Sequence, residues 1–144
     1  MDEQYNPTDK DNYLEAIARA KRLGQRARAL IDIDIETAAN RIYLGFENLA
    51  QGLLVWKHSR VSIKHAQIWE GMSKLYLQGI LSFDPKPYLE QAYQFHLYVD
   101  YGKKRFKSET IDFSEEKVQE LLSILEKLLA EVEKIVGKGG EFWW

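Results

Sequence analysis

The sequence predicts an all-α fold, an antiparallel bundle of four or five helices. Three observations predict it. Apolar residues recur three and four apart through most of the chain. Short segments bearing Asp, Ser, Pro or Gly separate these stretches, as helix starts and stops require. No segment shows convincing strand alternation, and "RALIDIDI" is the only rival, a short one.

The elements follow in order. From about residue 10 to 31, Ala16, Ala20, Leu23, Ala27 and Leu30 share one face, with Asp9 or Asp11 as the cap. "DID" at 32 to 34 breaks the run. A second helix from about 35 to 57 carries Ile35, Ala38, Ile42, Phe46, Leu49 and Leu53. A third, from about 61 to 79, carries His65, Ile68, Met72, Leu75 and Tyr76, with Gly79 near its end. "SFDPKP" is a turn, and Pro85 or Pro87 suits the first turn of a fourth helix, where a missing N–H costs nothing. That helix runs to about Tyr101, with Gly102 as its stop. "KKRFKSETID" reads as a connecting loop. Ser114 caps the last helix, and Glu115 and Glu116 favour its positive end. Val118, Leu121, Leu122, Leu125, Leu128, Leu129, Val132 and Ile135 form the strongest stripe in the chain. The expected organisation is a polar segment over 1–9, the bundle over 10–136, and a Gly-rich hinge with an aromatic tail over 137–144.

Composition narrows the function classes. The 144 residues suffice for one domain with a real core. Net charge is −2, so any nucleic-acid binding has to use a local patch. Cysteine is absent, which excludes disulfides, thiolate zinc sites and cysteine nucleophiles, and fits a cytoplasmic protein. No apolar run is long enough to span a membrane, and the polar, acidic N-terminus reads as neither a secretory signal nor a transit peptide. There is no glycine-rich phosphate loop, no dinucleotide fingerprint and no HExxH. Three scattered histidines suggest no metal site, and no cofactor is expected.

Several residues are candidates for chemistry. His96 and Asp100 stand four apart on one helix face, with Tyr93 a turn earlier. Such a couple can orient a base for phosphate chemistry, and the plainer reading is a half-exposed ion pair near a helix end. Lys103, Lys104, Arg105 and Lys107 interleave with Phe106, which suits a phosphate backbone and one stacked base, or a solvated loop. In "RVSIKH", Arg60 and His65 are secondary candidates, although side chains five apart on a helix do not share a face. His65 is expected near the core side of its helix. Lys21, Arg22, Arg26 and Arg28 form a second basic cluster, with an ordinary wet helix face as the plainer reading. Trp56 and Trp69 read as packing residues. The "EFWW" of 141–144 either folds back, enters a partner or frays.

"IETAANRIYLGFENLAQGLL", Ile35 to Leu54, resembles the second helix of HEPN domains, with its ordered alanines, tyrosine, phenylalanine and paired leucines. "KHAQIWEGMSKLYLQGIL" is similar to the family's third helix. "YQFHLYVDYGKKRFKSETIDFSEEKVQELLSILEKLLAEVEKI" is similar to its fourth helix, Asp-Tyr signature and final helix. The likeness covers roughly residues 12 to 136. It implies a four- or five-helix bundle, commonly a homodimer, that binds a nucleotide or RNA and is partnered in some members by a small nucleotidyltransferase. Many members are metal-independent ribonucleases, using an Arg followed four to six residues later by a His. This chain departs from that motif: His96 stands at the arginine position, Val99 or Asp100 at the histidine position, and Tyr101 is kept. The resemblance thus implies binding through Tyr101, Lys103, Lys104, Arg105 and Lys107, with His96 and Asp100 orienting polar groups. Tyr101 is also the candidate for stacking or nucleotidylation. The alternatives are a toxin-like ribonuclease using His96 or the Arg60–His65 pair, and a non-catalytic protein-interaction module.

Overall fold

A computed structural model describes residues 4–5, 11–58, 61–62, 64–101 and 113–137, and of residues 4, 5, 11, 12, 61, 62 and 101 the backbone alone. Five helices make up the fold among the described residues: α1 (Asp11–Leu30), α2 (Ile35–His58), α3 (His65–Leu77), α4 (Lys86–Tyr101) and α5 (Glu115–Gly137). The chain is an all-α bundle, as its periodicity predicts. One minimal ladder accompanies it: β1 (Gln4–Tyr5) pairs antiparallel with β2 (Val61–Ser62).

Local chemistry sets the helix ends. Asp34 caps α2, its carboxylate accepting from the Thr37 N–H at 3.2 Å and the Thr37 hydroxyl at 2.6 Å. These bonds hold the Asp34 carboxyl below its usual range. Ser114 caps α5 as predicted, accepting from the Lys117 N–H at 3.2 Å, an arrangement that contributes about 1 kcal/mol. The Pro85 carbonyl accepts the first N–H groups of α4, from Tyr88 and Leu89. Beside it Asp84 accepts from the Lys86 N–H and the Ser73 hydroxyl, each at 3.0 Å. At the end of α3, Gly79 takes φ +81°, a conformation that glycine adopts without strain. There the Ile80 N–H reaches the Leu75 carbonyl and the Gly79 N–H the Tyr76 carbonyl, which closes the helix in a Schellman turn. The caps expected at Asp9 or Asp11 and the stop at Gly102 lie outside the described residues and side chains.

Side-chain pairs give the helix directions. Gly45 approaches Ala20 and Gly52 approaches Ile17 and Tyr13, so α1 and α2 are antiparallel. Arg28 meets Glu126 while Lys21 meets Glu133, so α1 and α5 are antiparallel too. Tyr43 stacks on His96 and Asn40 reaches Asp100, which runs α4 against α2. Lys86 meets Glu70 and Tyr93 meets Trp69 and His65, which runs α3 against α4. It follows that α3 runs in the same sense as α2.

That sense explains the one element that differs from its predicted span. The third helix is expected from about residue 61 but begins at His65, and Val61–Ser62 are extended. The helix α2 ends at His58, yet His65 lies beside Tyr43 and Glu47, three to four turns back along α2. Few residues are available to cover that distance, and extended chain rises about twice as far per residue as helix. The start of the expected helix is therefore given up to the return.

The core is centred on α2, which packs against each of the other four helices. Its Ile42, Phe46, Leu49 and Leu53 are fully buried, together with Ile17 of α1, Ile68, Met72 and Leu75 of α3, and Leu121, Leu122, Leu125 and Leu128 of α5. The predicted α5 stripe is the wall that closes this core, with Leu129 and Ile135 at its edge. No charged side chain is buried among the described residues.

Candidate functional site

Three helices bring five aromatic residues that carry polar atoms to one cluster. Asn40, Tyr43 and Glu47 come from α2, His65 and Trp69 from α3, and Tyr93, His96 and Asp100 from α4. The spacings within each helix are three or four residues, so each set lies on a single face. On α2 that set lies beside the buried apolar stripe of Ile42, Phe46 and Leu49.

His96 and Asp100 are indeed together: His96 Nε2 lies 3.4 Å from Asp100 Oδ2. A third residue completes the arrangement. Asn40 Nδ2 donates to Asp100 Oδ1 at 3.4 Å, which turns the Asn40 carbonyl oxygen toward His96 Nδ1, 2.9 Å away. An amide oxygen only accepts, so this contact is a hydrogen bond in the tautomer that carries a proton on Nδ1. The His96 ring also stacks on Tyr43, with centroids 4.5 Å apart and planes 18° from parallel. The side chain is about one quarter exposed, which leaves it held yet reachable.

His65 belongs to the same cluster. Its Nδ1 lies 3.3 Å from the Tyr43 hydroxyl and 3.4 Å from Glu47 Oε2. Its ring packs 4.5 Å from Tyr93 and stacks near Trp69 at 5.9 Å. It turns toward α2 and α4, but at 39% exposure it is a rim residue and not a core one. Tyr43 and Tyr93, 5.6 Å apart, sit between the two histidines. Trp69 packs against the core as predicted and also closes this cluster, 5.4 Å from Tyr93.

Burial pushes the Tyr43 hydroxyl well above the ordinary tyrosine range, and the neighbouring Glu47 carboxylate adds to the shift. The group therefore stays a neutral donor through the physiological range. The linkage has a definite sign. The unfolded tyrosine ionises near 10 while the folded one resists, so the folded state loses stability as pH rises above that value. Tyr43→Phe removes this dependence. Measured by urea denaturation, the variant's deficit relative to wild type is expected to shrink by about 1.4 kcal/mol between about pH 9 and about pH 11. An unchanged deficit would mean that the hydroxyl is solvated.

The cluster brings two carboxylates, Glu47 and Asp100, to two histidines. It supplies aromatic faces and hydrogen-bonding edges, and none of its eight residues is a Lys or an Arg. The cations proposed from sequence for phosphate, Lys103, Lys104, Arg105 and Lys107, lie outside the described residues, as do Arg60 and the Tyr101 side chain. Tyr101 is the last residue of α4, one position past Asp100. The second basic cluster, on α1, is largely engaged: Arg22 with Glu15, Lys21 with Glu133, and Arg28 with Glu126 at 2.7 Å. Hydrogen bonding to Glu126 also raises the Arg28 pKa, and the plainer reading of a wet helix face holds there.

Of this cluster, His96, Asp100, Tyr93 and His65 are candidates on sequence grounds, Trp69 reads there as packing, and Asn40, Tyr43 and Glu47 do not stand out. Their three-and-four spacing beside the apolar stripe of α2 was the available signal. Among the described residues, no group of three or more His, Asp or Glu is arranged to hold a metal ion. No helix among them is long and apolar enough to cross a membrane. No known protein-family model matches the chain, and no curated protein matches it.

Proposed function

We propose that this chain is a HEPN-like bundle that binds a nucleotide or RNA through the α2–α3–α4 cluster at the end of α4. One observation carries the reading: His65, Trp69, Tyr93 and His96 from α3 and α4 form one partly exposed aromatic surface, backed by the buried Tyr43 of α2, with Asn40 and Asp100 on its edge. Aromatic faces stack bases of any identity, and a His–Asn–Asp edge offers donors and acceptors to them. Glu47 and Asp100 repel phosphate, so the cluster takes bases. Phosphate falls to the cations of 103–107, which follow α4 in the sequence.

The test is binding of a single-stranded RNA oligonucleotide in EDTA at two salt concentrations. Wild type is compared with Trp69→Ala, Tyr93→Ala and the triple change of Lys103, Lys104 and Arg105 to Ala. Each aromatic change is expected to weaken binding by about 1–3 kcal/mol with the helical content intact. The triple change is expected to weaken binding and flatten its salt dependence. Absence of wild-type binding, or affinity indifferent to both aromatic changes, overturns the proposal.

A second reading has its own observation. His65 and His96 share the cluster, and two positioned imidazoles suffice for acid–base cleavage of RNA without metal. On that reading EDTA-resistant cleavage disappears in His96→Ala or His65→Ala. Full cleavage by both variants removes it.

A further inference from the structure

Three side chains of the aromatic cluster form a closed circuit of contacts. Asn40 Nδ2 donates to Asp100 Oδ1 at 3.4 Å, the Asn40 carbonyl oxygen lies 2.9 Å from His96 Nδ1, and Asp100 Oδ2 lies 3.4 Å from His96 Nε2. Both nitrogens of one imidazole therefore face oxygen atoms that only accept. A neutral imidazole carries one N–H and one bare lone pair, so it satisfies one oxygen and sets its lone pair against the other. Turning the Asn40 amide over moves the conflict without removing it, because the amide oxygen then meets the Asp100 carboxylate. The imidazolium, with a proton on each nitrogen, satisfies every contact in the circuit.

We propose that Asn40, His96 and Asp100 are a proton-gated clamp that ties the end of α4 to α2. Asp100 stands one residue before the end of α4, and Asn40 lies in the second turn of α2. The clamp closes as pH falls through the histidine range, from about pH 8 to about pH 5, and opens as pH rises again. The groups around His96 come from three helices. Asp100 and Tyr93 share α4 with it, and Tyr43 of α2 stacks on its ring. Beyond the two tyrosines stand His65 of α3 and Glu47 of α2, 3.4 Å apart. Tyr43 stays neutral throughout, so the second histidine is the neighbour to be separated by experiment. Resting on the reading that the cluster binds RNA, the same proton regulates the site. The closed clamp adds a cation beside Asp100 and holds the helix end from which the chain proceeds to Lys103, Lys104 and Arg105. Affinity for RNA is then expected to rise about two- to fivefold across the range as pH falls.

The test of the clamp needs no RNA. In the isotopically labelled full chain, the His96 ring nitrogens and the Asn40 side-chain amide are followed by NMR across the histidine range, with His96→Gln and Asn40→Ala as assignments. At the acid end both ring nitrogens are expected to carry a proton, and the Asn40 amide is expected to move with the His96 midpoint. Asp100→Asn distinguishes a clamp from a plain ion pair. An amide at position 100 accepts from Asn40 through its oxygen and donates to a bare Nε2 through its nitrogen, so the circuit closes around the neutral imidazole. The Asn40 amide is then expected to hold one position across the range. His65→Gln is expected to leave the wild-type behaviour in place. An Asn40 amide that ignores the His96 titration overturns the clamp, as does one that still follows it in Asp100→Asn or loses its movement in His65→Gln. An RNA oligonucleotide without a terminal phosphate is then bound at both ends of the range. Affinity that rises toward acid in wild type and flattens in Asp100→Asn is the expected result. Equal affinity at both ends overturns the regulation. A working clamp with no RNA bound at either pH removes the RNA reading and leaves the clamp standing.

Discussion

Phe46→Ala lowers the unfolding free energy by about 3–5 kcal/mol, the range for deleting a fully buried aromatic side chain. Phe46 is completely buried at the middle of α2, the helix that touches all four others. Its neighbour Gly45 already admits Leu125 of α5 and the Ala20 carbonyl of α1. The walls around Phe46 are thus helices held by their own contacts, and they cannot all collapse inward to fill the void. The loss consists of the transfer term plus most of a cavity term. Urea denaturation should show a lower midpoint with an unchanged slope. A loss below about 1 kcal/mol would mean that α2 is not the centre of the core.

Gly52→Val costs about 3 kcal/mol for the opposite reason. A Cβ at this position meets Ile17 Cγ1 at 2.8 Å, the Tyr13 carbonyl oxygen at 3.2 Å and the Ala16 Cβ at 3.3 Å. Ile17 is fully buried and branched, and the Tyr13 oxygen is backbone, so neither yields easily. Two further methyl groups force α1 and α2 apart along their whole contact. The few tenths of a kcal/mol that valine gains over glycine in helix propensity do not offset this. Gly24→Ala is the control. Its added Cβ lies 3.7 Å from Leu125 Cδ2, an ordinary contact, and the change is expected to stabilise by about 1 kcal/mol. Thermal unfolding of the two variants should move in opposite directions. Movement in the same direction would mean that the interhelical spacing adapts.

The helices were legible in the sequence because each is specified within its own span. The α5 stripe, the Ser114 cap, the break at 32–34 and the Gly79 stop each follow from local periodicity or local dihedral demand. The start of α3 was not legible. The β-branched residues of "VSIK" disfavour helix only mildly, and the need to return His65 to the middle of α2, with the pairing to β1, makes Val61 and Ser62 extended. The site was legible by halves for a related reason. His96 and Asp100 share one helix and a four-residue spacing. Asn40, whose amide oxygen lies 2.9 Å from His96 Nδ1, is 56 residues away in sequence. Glu47 and Tyr43 meet His65 only once α3 runs alongside α2. Contacts made by the relative register of helices leave no trace in a single helix's pattern.

The central place of α2 and the slightness of α3 have a consequence for motion. Backbone amides in the middle of α2 exchange with solvent only when the whole molecule opens, because every neighbouring helix must leave first. The helix α3 spans 13 residues and buries only Ile68, Met72 and Leu75. Its amides are the ones to exchange through partial opening, at a lower free energy than the global event. Trp69 and His65 ride on that helix. The aromatic surface can thus loosen on one side, at the cost of uncovering the three core residues of α3, while α2 and α4 keep Asn40, His96 and Asp100 in register.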